Sequence, residues 1–359
     1  MSSFSPNKTL YCDSGMDVAH CTLDGNADAV EFCPHSSFSN VLAASTYTLL
    51  EGDQPSRSGS LSIFNVNADN CSLELLHRVD TAGIFDIKWS PVGPTASPLL
   101  AQADADGCIR VHALEHSSNG AEGQYLKERC GSKISSSMCL CLDWNPSATS
   151  ISVGHSDGSI SILSAGESHL EVQNQWEAHE FELWATSFDT HQPHLVYTGS
   201  DDCKFSCWDL RDTPTKAFHN TKAHKMGVCC IAKCPNDPYK LLTGSYDEHL
   251  RVWDIRSISK PTNETSICLG GGVWRIKPHP SVFDVVLAAC MHNGFAIVRV
   301  KDDDTAEVVE TYDKHSSLAY GADWQRGDSS HEDKRKRYAV ATCSFYDRLL
   351  RIWIPETDI

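Results

Sequence analysis

The sequence predicts an all-β protein folded as a closed, seven-bladed propeller. The first basis is a recurring pattern in which two strands flank a tight turn and an aspartate precedes a tryptophan at constant spacing. Its clear copies are Gly199–Asp209, Gly244–Asp254 and Cys343–Trp353. The second basis is strand-type periodicity along the chain, with short apolar or alternating runs between Gly, Asp, Asn and Ser turns. The third is length, because 359 residues exceed one ordinary compact domain, whereas repeats bury their faces against their neighbours.

Weaker copies continue the same register and bring the number of units to seven. They lie within Asp28–Phe64, Lys88–Val111, Asp143–Leu163 and Lys277–Val298. Each unit supplies three strands, with a fourth in the connection to the next unit, a spacing that resembles WD-repeat β-propellers. We assign residues 1–16 to an N-terminal extension and 17–359 to one propeller domain. A strand within Asp17–Leu23 is expected to complete the last blade, since an open propeller exposes sheet edges, and this closure suits a monomer.

Several polar residues of the repeats are interpreted as structural. They resemble the hydrogen-bonded His, Ser/Thr, Asp and Trp set that braces a WD blade, because buried polar groups need partners. The three sets are His179 with Thr198, Asp202 and Trp208; His224 with Thr243, Asp247 and Trp253; and His315 with Thr342, Asp347 and Trp353. Although they look like Ser-His-Asp chemistry, we expect them to hold the blades together.

The composition argues against several classes of function. With 30 basic and 47 acidic residues the net charge is −17, so nucleic acid and anionic membranes are poor partners. No apolar run reaches the length that spans a bilayer. The 16 cysteines are scattered within strand-like runs, and the N-terminus shows no secretory leader. We therefore expect free thiols in a reducing compartment and a cytoplasmic location.

Seven residues are predicted to face the mouth of the central channel. They follow from aligning the units on the Pro or aromatic residue that ends each innermost strand, and they are Asp28, Phe85, Leu140, Trp184, Cys229, Trp274 and Tyr320. Ordinary WD repeats mostly hold a small aliphatic residue here, whereas four of these seven are aromatic. Such rings either plug the channel or form a cage, which attracts a quaternary ammonium by about 2 kcal/mol when desolvated. Three rim carboxylates would add attraction for that cation: Asp28, Asp86 and Glu182.

The sixth unit departs further from the repeat. Gly270–Gly272 stand shortly before Trp274 and Arg275, where other units have a His-containing connection. Glycines let a ligand approach the backbone and leave N–H groups that can hold an anion, although a tight connection between blades also explains a Gly run. Further side chains expected on the same rim are His292, Tyr47, Tyr246 and Tyr346.

Three segments make the chain similar to a known family. Leu42–Tyr47, Gly270–Arg275 and His315–Trp324 resemble the WD-repeat diphthine methylesterases of diphthamide biosynthesis. The resemblance extends from about Thr22 to Trp353. It implies a carboxyl methyl ester hydrolase that acts on translation elongation factor 2, and we expect no cofactor. The substrate would be a modified histidine of that factor bearing a trimethylammonium group and a methyl-esterified carboxyl, which hydrolysis converts to diphthine and methanol.

Roles for the rim residues follow from this resemblance. The substrate-binding residues would be Phe85, Trp184, Trp274, Arg275 and Tyr320. A serine nucleophile is disfavoured because no Gly-x-Ser-x-Gly elbow occurs, and no residue cluster has metal-ligand spacing. In the favoured route His292 or Glu182 acts as general base on a water, and the N–H groups of Gly271 and Gly272 hold the oxyanion. In the other route Cys229 is the nucleophile, although its ordinary strand position favours an inert thiol.

Two other classes of function stay open. The first is a non-catalytic adaptor, because propellers are most often scaffolds and a fold alone does not imply an enzyme. An adaptor would expose aromatic residues broadly over one face, whereas an esterase should concentrate polar groups around one small hole. The second is a reader of methylated lysine that uses the same aromatic cage.

Overall fold

The fold is an all-β propeller, described by a computed structural model for residues 17–52, 55–91, 97–116, 123–234, 237–301, 305–326 and 338–357. Residues 1–16, assigned above to an N-terminal extension, lie outside the described residues. Within the described residues, strands form seven four-stranded antiparallel sheets, and one short 3-10 turn spans Ser36–Phe38. The predicted seven-bladed architecture is confirmed.

The first strand of each blade lines the channel, and the following strands lie successively further out. The first four blades are β2 (Asn26–Phe32), β3 (Val41–Leu50), β4 (Ser56–Asn67) and β5 (Ser72–Ala82); β6 (Ile84–Trp89), β7 (Leu99–Asp104), β8 (Cys108–His116) and β9 (Gln124–Lys133); β10 (Cys139–Trp144), β11 (Ser150–His155), β12 (Ser159–Ala165) and β13 (Leu170–Glu177); β14 (Leu183–Phe188), β15 (Leu195–Ser200), β16 (Phe205–Asp209) and β17 (Thr215–Asn220). The other three are β18 (Val228–Lys233), β19 (Lys240–Ser245), β20 (His249–Asp254) and β21 (Thr262–Cys268); β22 (Arg275–Pro278), β23 (Val285–Ala289), β24 (Phe295–Val300) and β25 (Ala306–Tyr312); β26 (Ala319–Trp324), β27 (Val340–Ser344), β28 (Leu349–Trp353) and β1 (Asp17–Thr22).

The N-terminal strand closes the ring as predicted. β1 pairs antiparallel with β28, so the seventh blade combines the two ends of the described chain. Asp17 at the start of β1 accepts hydrogen bonds from the Tyr312 hydroxyl and from Lys314 Nζ, the latter at 2.8 Å. The strand is therefore held both by its ladder and by an anchored carboxylate.

Apolar burial occurs between the blades. Seven clusters of buried apolar side chains each join two neighbouring blades, including one between the seventh and the first. A single blade presents two apolar faces and can bury them only against two neighbours. The core is thus a closed ring around the channel.

The inner strands need polar partners from the next blade. Each inner strand pairs on one side only, so N–H groups on its other side lack a ladder partner. A carboxylate of the preceding blade accepts four of them: Phe32 N–H donates to Asp323 at 2.7 Å, Trp89 to Glu31 at 2.7 Å, Leu142 to Asp86 at 3.1 Å and Phe188 to Asp143 at 2.9 Å. Lys277 lies 2.9 Å from Glu31 and 3.4 Å from Asp323, offsetting the buried negative charge.

The bracing sets form to different degrees. In the fourth blade, Thr198 Oγ1 accepts from Trp208 Nε1 at 2.9 Å and lies 2.8 Å from His179 Nε2, while His179 Nδ1 lies 3.1 Å from Asp202. In the fifth blade Thr243 bonds His224 and Trp253 in the same way.

The sets of the fifth and seventh blades depart from the prediction, and in the seventh Asp347 bonds Ser344 rather than His315. Asp247 pairs with Arg251 at 2.8 Å, because that guanidinium stands between it and the histidine. In the seventh blade His315 bonds Thr342, but Trp353 Nε1 has no hydrogen-bond partner among the described residues, since its ring stacks on Tyr312 at 4.3 Å. The sets are still structural, as expected.

Replacing Thr198 with valine should destabilise the fold. The change keeps the shape but removes Oγ1, the partner of both Trp208 Nε1 and His179 Nε2, so we expect a loss of about 3 kcal/mol in the free energy of unfolding. Urea unfolding followed by tryptophan fluorescence measures it. Thr215→Val, at an exposed site of β17, is the control and should change stability little. Equal stability of both variants would contradict the bracing role.

Candidate active site

Backbone irregularities aim the predicted rim residues into the channel mouth. Six inner strands skip one residue of their ladder near the start, and the skipped residues are Asp28, Phe85, Leu140, Trp184, Cys229 and Tyr320. A β-bulge of this kind turns the extra side chain out of the pleat. In the sixth blade Trp274 stands just before β22, and its N–H donates to Ala289 O at 2.9 Å. The register read from the sequence therefore places all seven residues on one ring.

Aromatic side chains at the channel mouth pack into a continuous series, which we call the aromatic arc. Neighbouring rings lie in contact in the order Phe85, Tyr47, Phe345, Tyr320, Trp274 and Trp184, with centroid separations of 4.8, 4.9, 5.2, 4.8 and 5.4 Å. Phe85 and Phe345 are buried, whereas the other four are partly exposed. The two phenylalanines of the arc are therefore fixed inside the protein, and its tyrosines and tryptophans are accessible to a ligand.

A small residue in the fifth blade lets two tryptophans of the arc meet. Its inner position is the small Cys229, so Trp184 of the fourth blade and Trp274 of the sixth meet across it. Tyr246, from the fifth blade's outer turn, packs on Trp274 at 5.9 Å. Trp274 Nε1 is buried and has no hydrogen-bond partner among the described residues. A hydrogen-bond donor is therefore held within the rim.

A buried ion pair lies one step below the arc. Arg275 NH1 contacts Asp86 Oδ1 at 3.0 Å, and Asp86 also accepts the Leu142 N–H. The Arg275 side chain is 17% exposed. Two expectations change here: Asp86 is a buried structural carboxylate rather than a surface one, and the Arg275 guanidinium is engaged inside the protein. Any contact of Arg275 with a ligand has to compete with this pair.

Asp28 differs from the other carboxyl groups of the channel. It is 2% exposed and occupies the rim position that is aromatic in four other blades. Among the described residues its carboxyl group forms no hydrogen bond, whereas Glu31, Asp86, Asp143 and Asp323 each accept a backbone N–H. Burial raises the pKa of Asp28 well above its usual range, nearby Asp86 adds to this and Arg275 opposes it. Burial therefore favours the protonated form of this carboxyl group, which lies beside the arc.

Glu182 lies at the edge of the arc, two residues before Trp184. Its carbonyl accepts the Asp201 N–H at 3.0 Å, and the side chain is partly exposed. Burial raises the pKa of Asp201, and the neighbouring charges of Glu182 and Asp202 raise it further. Two carboxylates thus share this edge, of which the sequence singled out only Glu182.

His292 is exposed and lines a cleft beside the arc. Its neighbour Met291 is buried against Gly272, whereas the His292 side chain is exposed. It lines a cleft of about 540 Å³ together with Asp313, Ser317 and Tyr346. The cleft adjoins the arc, because Tyr346 packs on Phe345 at 4.9 Å.

The glycine run has a packing reason. A Cβ on Gly271 would lie 2.0 Å from the Cys290 carbonyl oxygen, and one on Gly272 would lie 2.6 Å from Met291 Sδ. Of the three glycines, Gly270 alone has a positive φ, at 76°. Within the described chain the Gly271 and Gly272 N–H groups donate no hydrogen bond. Close packing explains the residue type, and the free donors keep the predicted oxyanion role open.

Cys229 has the environment of an inert thiol. It is buried, and Sγ donates to the Gly227 carbonyl at 3.5 Å. Burial raises the pKa of this thiol well above its usual range. Because the thiolate is the nucleophilic form, this argues against the cysteine route.

Among the described residues, no group of three or more His, Cys, Asp or Glu side chains is placed to hold a metal ion. No helix in the described part of the chain is long and apolar enough to span a membrane.

Sequence reasoning missed Phe345. Tyr346 was expected on the rim, yet its neighbour Phe345 is the buried member that joins Tyr47 to Tyr320. A signal was present, because Phe345 follows Ser344 as Tyr246 follows Ser245 in the fifth blade. The longer turn of the seventh blade obscured this correspondence.

Comparison with known proteins gives consistent results. The family model of the WD domain, G-beta repeat, matches residues 170–209 and 215–254. The chain is 35% identical over 325 residues to a diphthine methyltransferase of Mus musculus, covering 83% of this chain and 67% of that protein. It is 32% identical over 372 residues to a diphthine methyltransferase homolog of Dictyostelium discoideum, covering 93% and 97%.

A solved structure agrees with the fold. A chain in the crystal structure of the mitotic checkpoint complex superposes with a TM-score of 0.69 at 15% identity, covering 99% of this chain and 98% of that one. This likeness concerns the fold alone. The relatives' identity and coverage confirm the family indicated by the segments around Trp274 and Tyr320: the chain belongs to the WD-repeat diphthine methyltransferase family.

Proposed function

We propose that this protein hydrolyses the methyl ester of methylated diphthine on translation elongation factor 2, a step of diphthamide biosynthesis. The observation that carries the proposal is the aromatic arc, partly exposed at the channel mouth with the uncommitted Asp28 carboxyl beside it. Aromatic faces attract a quaternary ammonium, and a carboxylate supplies its counter-charge. The relatives named diphthine methyltransferase support a substrate of this chemistry.

Hydrolysis needs a base and an oxyanion partner next to the bound cation. Water loses a proton to the base and adds to the ester carbonyl carbon, and backbone N–H groups hold the resulting oxyanion. The bond from this carbon to the methoxy oxygen then breaks, and the methoxy group takes the proton and leaves as methanol. Gly271 and Gly272 supply the free N–H groups. We favour Glu182 as the base over His292, because Glu182 is two residues from Trp184 and His292 lines the cleft beside the arc.

Methyl transfer is a second candidate, favoured by the name of the relatives. The two reactions run in opposite directions on the substrate. A hydrolase releases methanol from the methyl-esterified factor without an added methyl donor, whereas a transferase places a labelled methyl group from S-adenosylmethionine on the free carboxyl group of diphthine. Measuring both with the purified protein separates them. An adaptor would do neither, and a methyl-lysine reader would bind a trimethyl-lysine peptide.

Removing rings from the arc should slow turnover. Trp274→Ala and Tyr320→Ala each delete part of the surface proposed for the cation, so we expect methanol release to fall at least about tenfold. Phe283→Ala, at an exposed site between β22 and β23, is the control and should keep the wild-type rate. If both arc variants bind and cleave the methylated factor normally, the arc is not the cation site.

Replacing Asp28 with asparagine should remove a pH dependence of substrate binding. A cation favours ionised Asp28, so wild-type KM should fall as pH rises above the usual carboxyl range. The charged and titratable neighbours are Asp86, Arg275, Tyr47, Tyr320 and Cys343, and the variant leaves them in place. Asp28→Asn should bind the substrate more weakly, and its KM should change less with pH. An unchanged KM profile would exclude Asp28 as the counter-charge.

Cys229 should be dispensable. Because it is buried, iodoacetamide should label the exposed Cys268 rapidly and Cys229 only after unfolding, as mapped by mass spectrometry. Cys229→Ala should retain methanol release within about twofold. Loss of turnover in a folded Cys229→Ala protein, together with rapid labelling of native Cys229, would instead support the nucleophile route.

A further inference from the structure

The hairpin of the first blade is longer than that of the fifth blade. β3 and β4 have 10 and 12 residues, whereas β19 and β20 of the fifth blade have 6 each. Their ladder continues through Thr48↔Ser58, Leu49↔Arg57 and Leu50↔Ser56. Turns between second and third strands emerge on the same side as the arc, which we call the mouth face. The extension therefore stands above the mouth face.

The extension carries exposed leucines. Leu49 and Leu50 are 46% and 48% exposed. Successive residues of a strand point to opposite sides, so each side of the extension presents a leucine to solvent. Two residues earlier, Tyr47 belongs to the aromatic arc. A molecule whose side chain reaches the arc would thus meet the leucines with its surrounding surface.

Two more exposed apolar residues lie on the mouth face. Phe181 is 56% exposed in the connection from β13 to β14, and Met226 is 52% exposed in the connection from β17 to β18. Connections from the fourth strand to the next blade all emerge on this side. Phe181 is three residues from Trp184, so the apolar surface again continues to the arc. Exposed apolar groups around a site commonly mark a protein interface.

The charges beside Phe181 and Gly227 are mainly negative, whereas Lys225 precedes Met226 and Arg57 lies opposite Leu49 in the ladder. Glu180 and Glu182 flank Phe181, and Asp201 lies against Gly227, the neighbour of Met226. Lys204 forms an ion pair with Glu180 at 2.9 Å, so these two opposite charges partly offset each other. The net charge of the chain is −17. A partner with a basic surface around its contact residues is complementary to this edge.

We propose that Leu49, Leu50, Phe181 and Met226, which we call the docking face, bind the folded body of the protein substrate around the modified side chain. The proposal rests on the proposed function and adds its recognition surface. The partner is a folded protein with apolar contact residues inside a basic rim. The arc takes up the modified side chain, and the docking face supplies affinity and orientation without touching the reacting atoms.

Paired substitutions test this face. The variants are Leu49→Ser with Leu50→Ser, and Phe181→Ser with Met226→Ser. The matched control is Tyr239→Ser with Phe283→Ser, exposed apolar residues in turns between first and second strands, which emerge on the opposite side. For each protein we would measure the Kd for methylated elongation factor 2 and the kcat and KM of methanol release. Thermal unfolding verifies that every variant folds.

Each docking-face pair should raise Kd and KM about tenfold and leave kcat unchanged. The control pair should change neither. Wild-type-like Kd for both docking-face pairs, or an equal loss of affinity in the control pair, would overturn the proposal. If the wild type binds the factor but releases no methanol, the proposed hydrolysis fails while the Kd comparison still decides the docking face.

Discussion

The structure depends on how the inner strands satisfy their unpaired backbone edge. Each inner strand has a ladder on one side only, and buried N–H groups without a partner are costly. Carboxylates from the preceding blade accept these groups between blades seven and one, one and two, two and three, and three and four. The carboxylates in turn require the cations of Lys88, Lys277 and Arg275. Blade packing and channel charge are therefore one network.

This network makes the exceptions informative. Four channel carboxylates are committed to backbone N–H groups, and Asp28 is not among them. The bulges act similarly, because the same irregularity that turns Leu140 toward the channel turns Trp184 and Tyr320 into the aromatic arc. The proposed site thus uses a backbone device that the whole propeller shares, with different side chains placed on it.

The rim register could be predicted from the repeat itself. Aligning the units on the residue that ends each inner strand was enough to find the bulge residues, because every blade repeats the same geometry. The pairing of Arg275 with Asp86 could not be found in this way, since the two residues belong to blades six and two and meet only across the channel. The exposure of His292 was equally hidden, because its turn buries the neighbouring Met291 instead.

The sequence by itself determined the seven blades, the closing strand and the ring of rim residues, because those features follow from local strand periodicity and from repetition. Only the tertiary structure decided which rim residues touch. The arc joins residues far apart in the chain, such as Tyr47 and Phe345, and Cys229 leaves the space in which Trp184 meets Trp274. Likewise, the sequence does not show whether an acidic residue in a strand accepts a backbone N–H or, like Asp28, accepts none. That difference is set by the neighbouring blade, which local sequence does not specify.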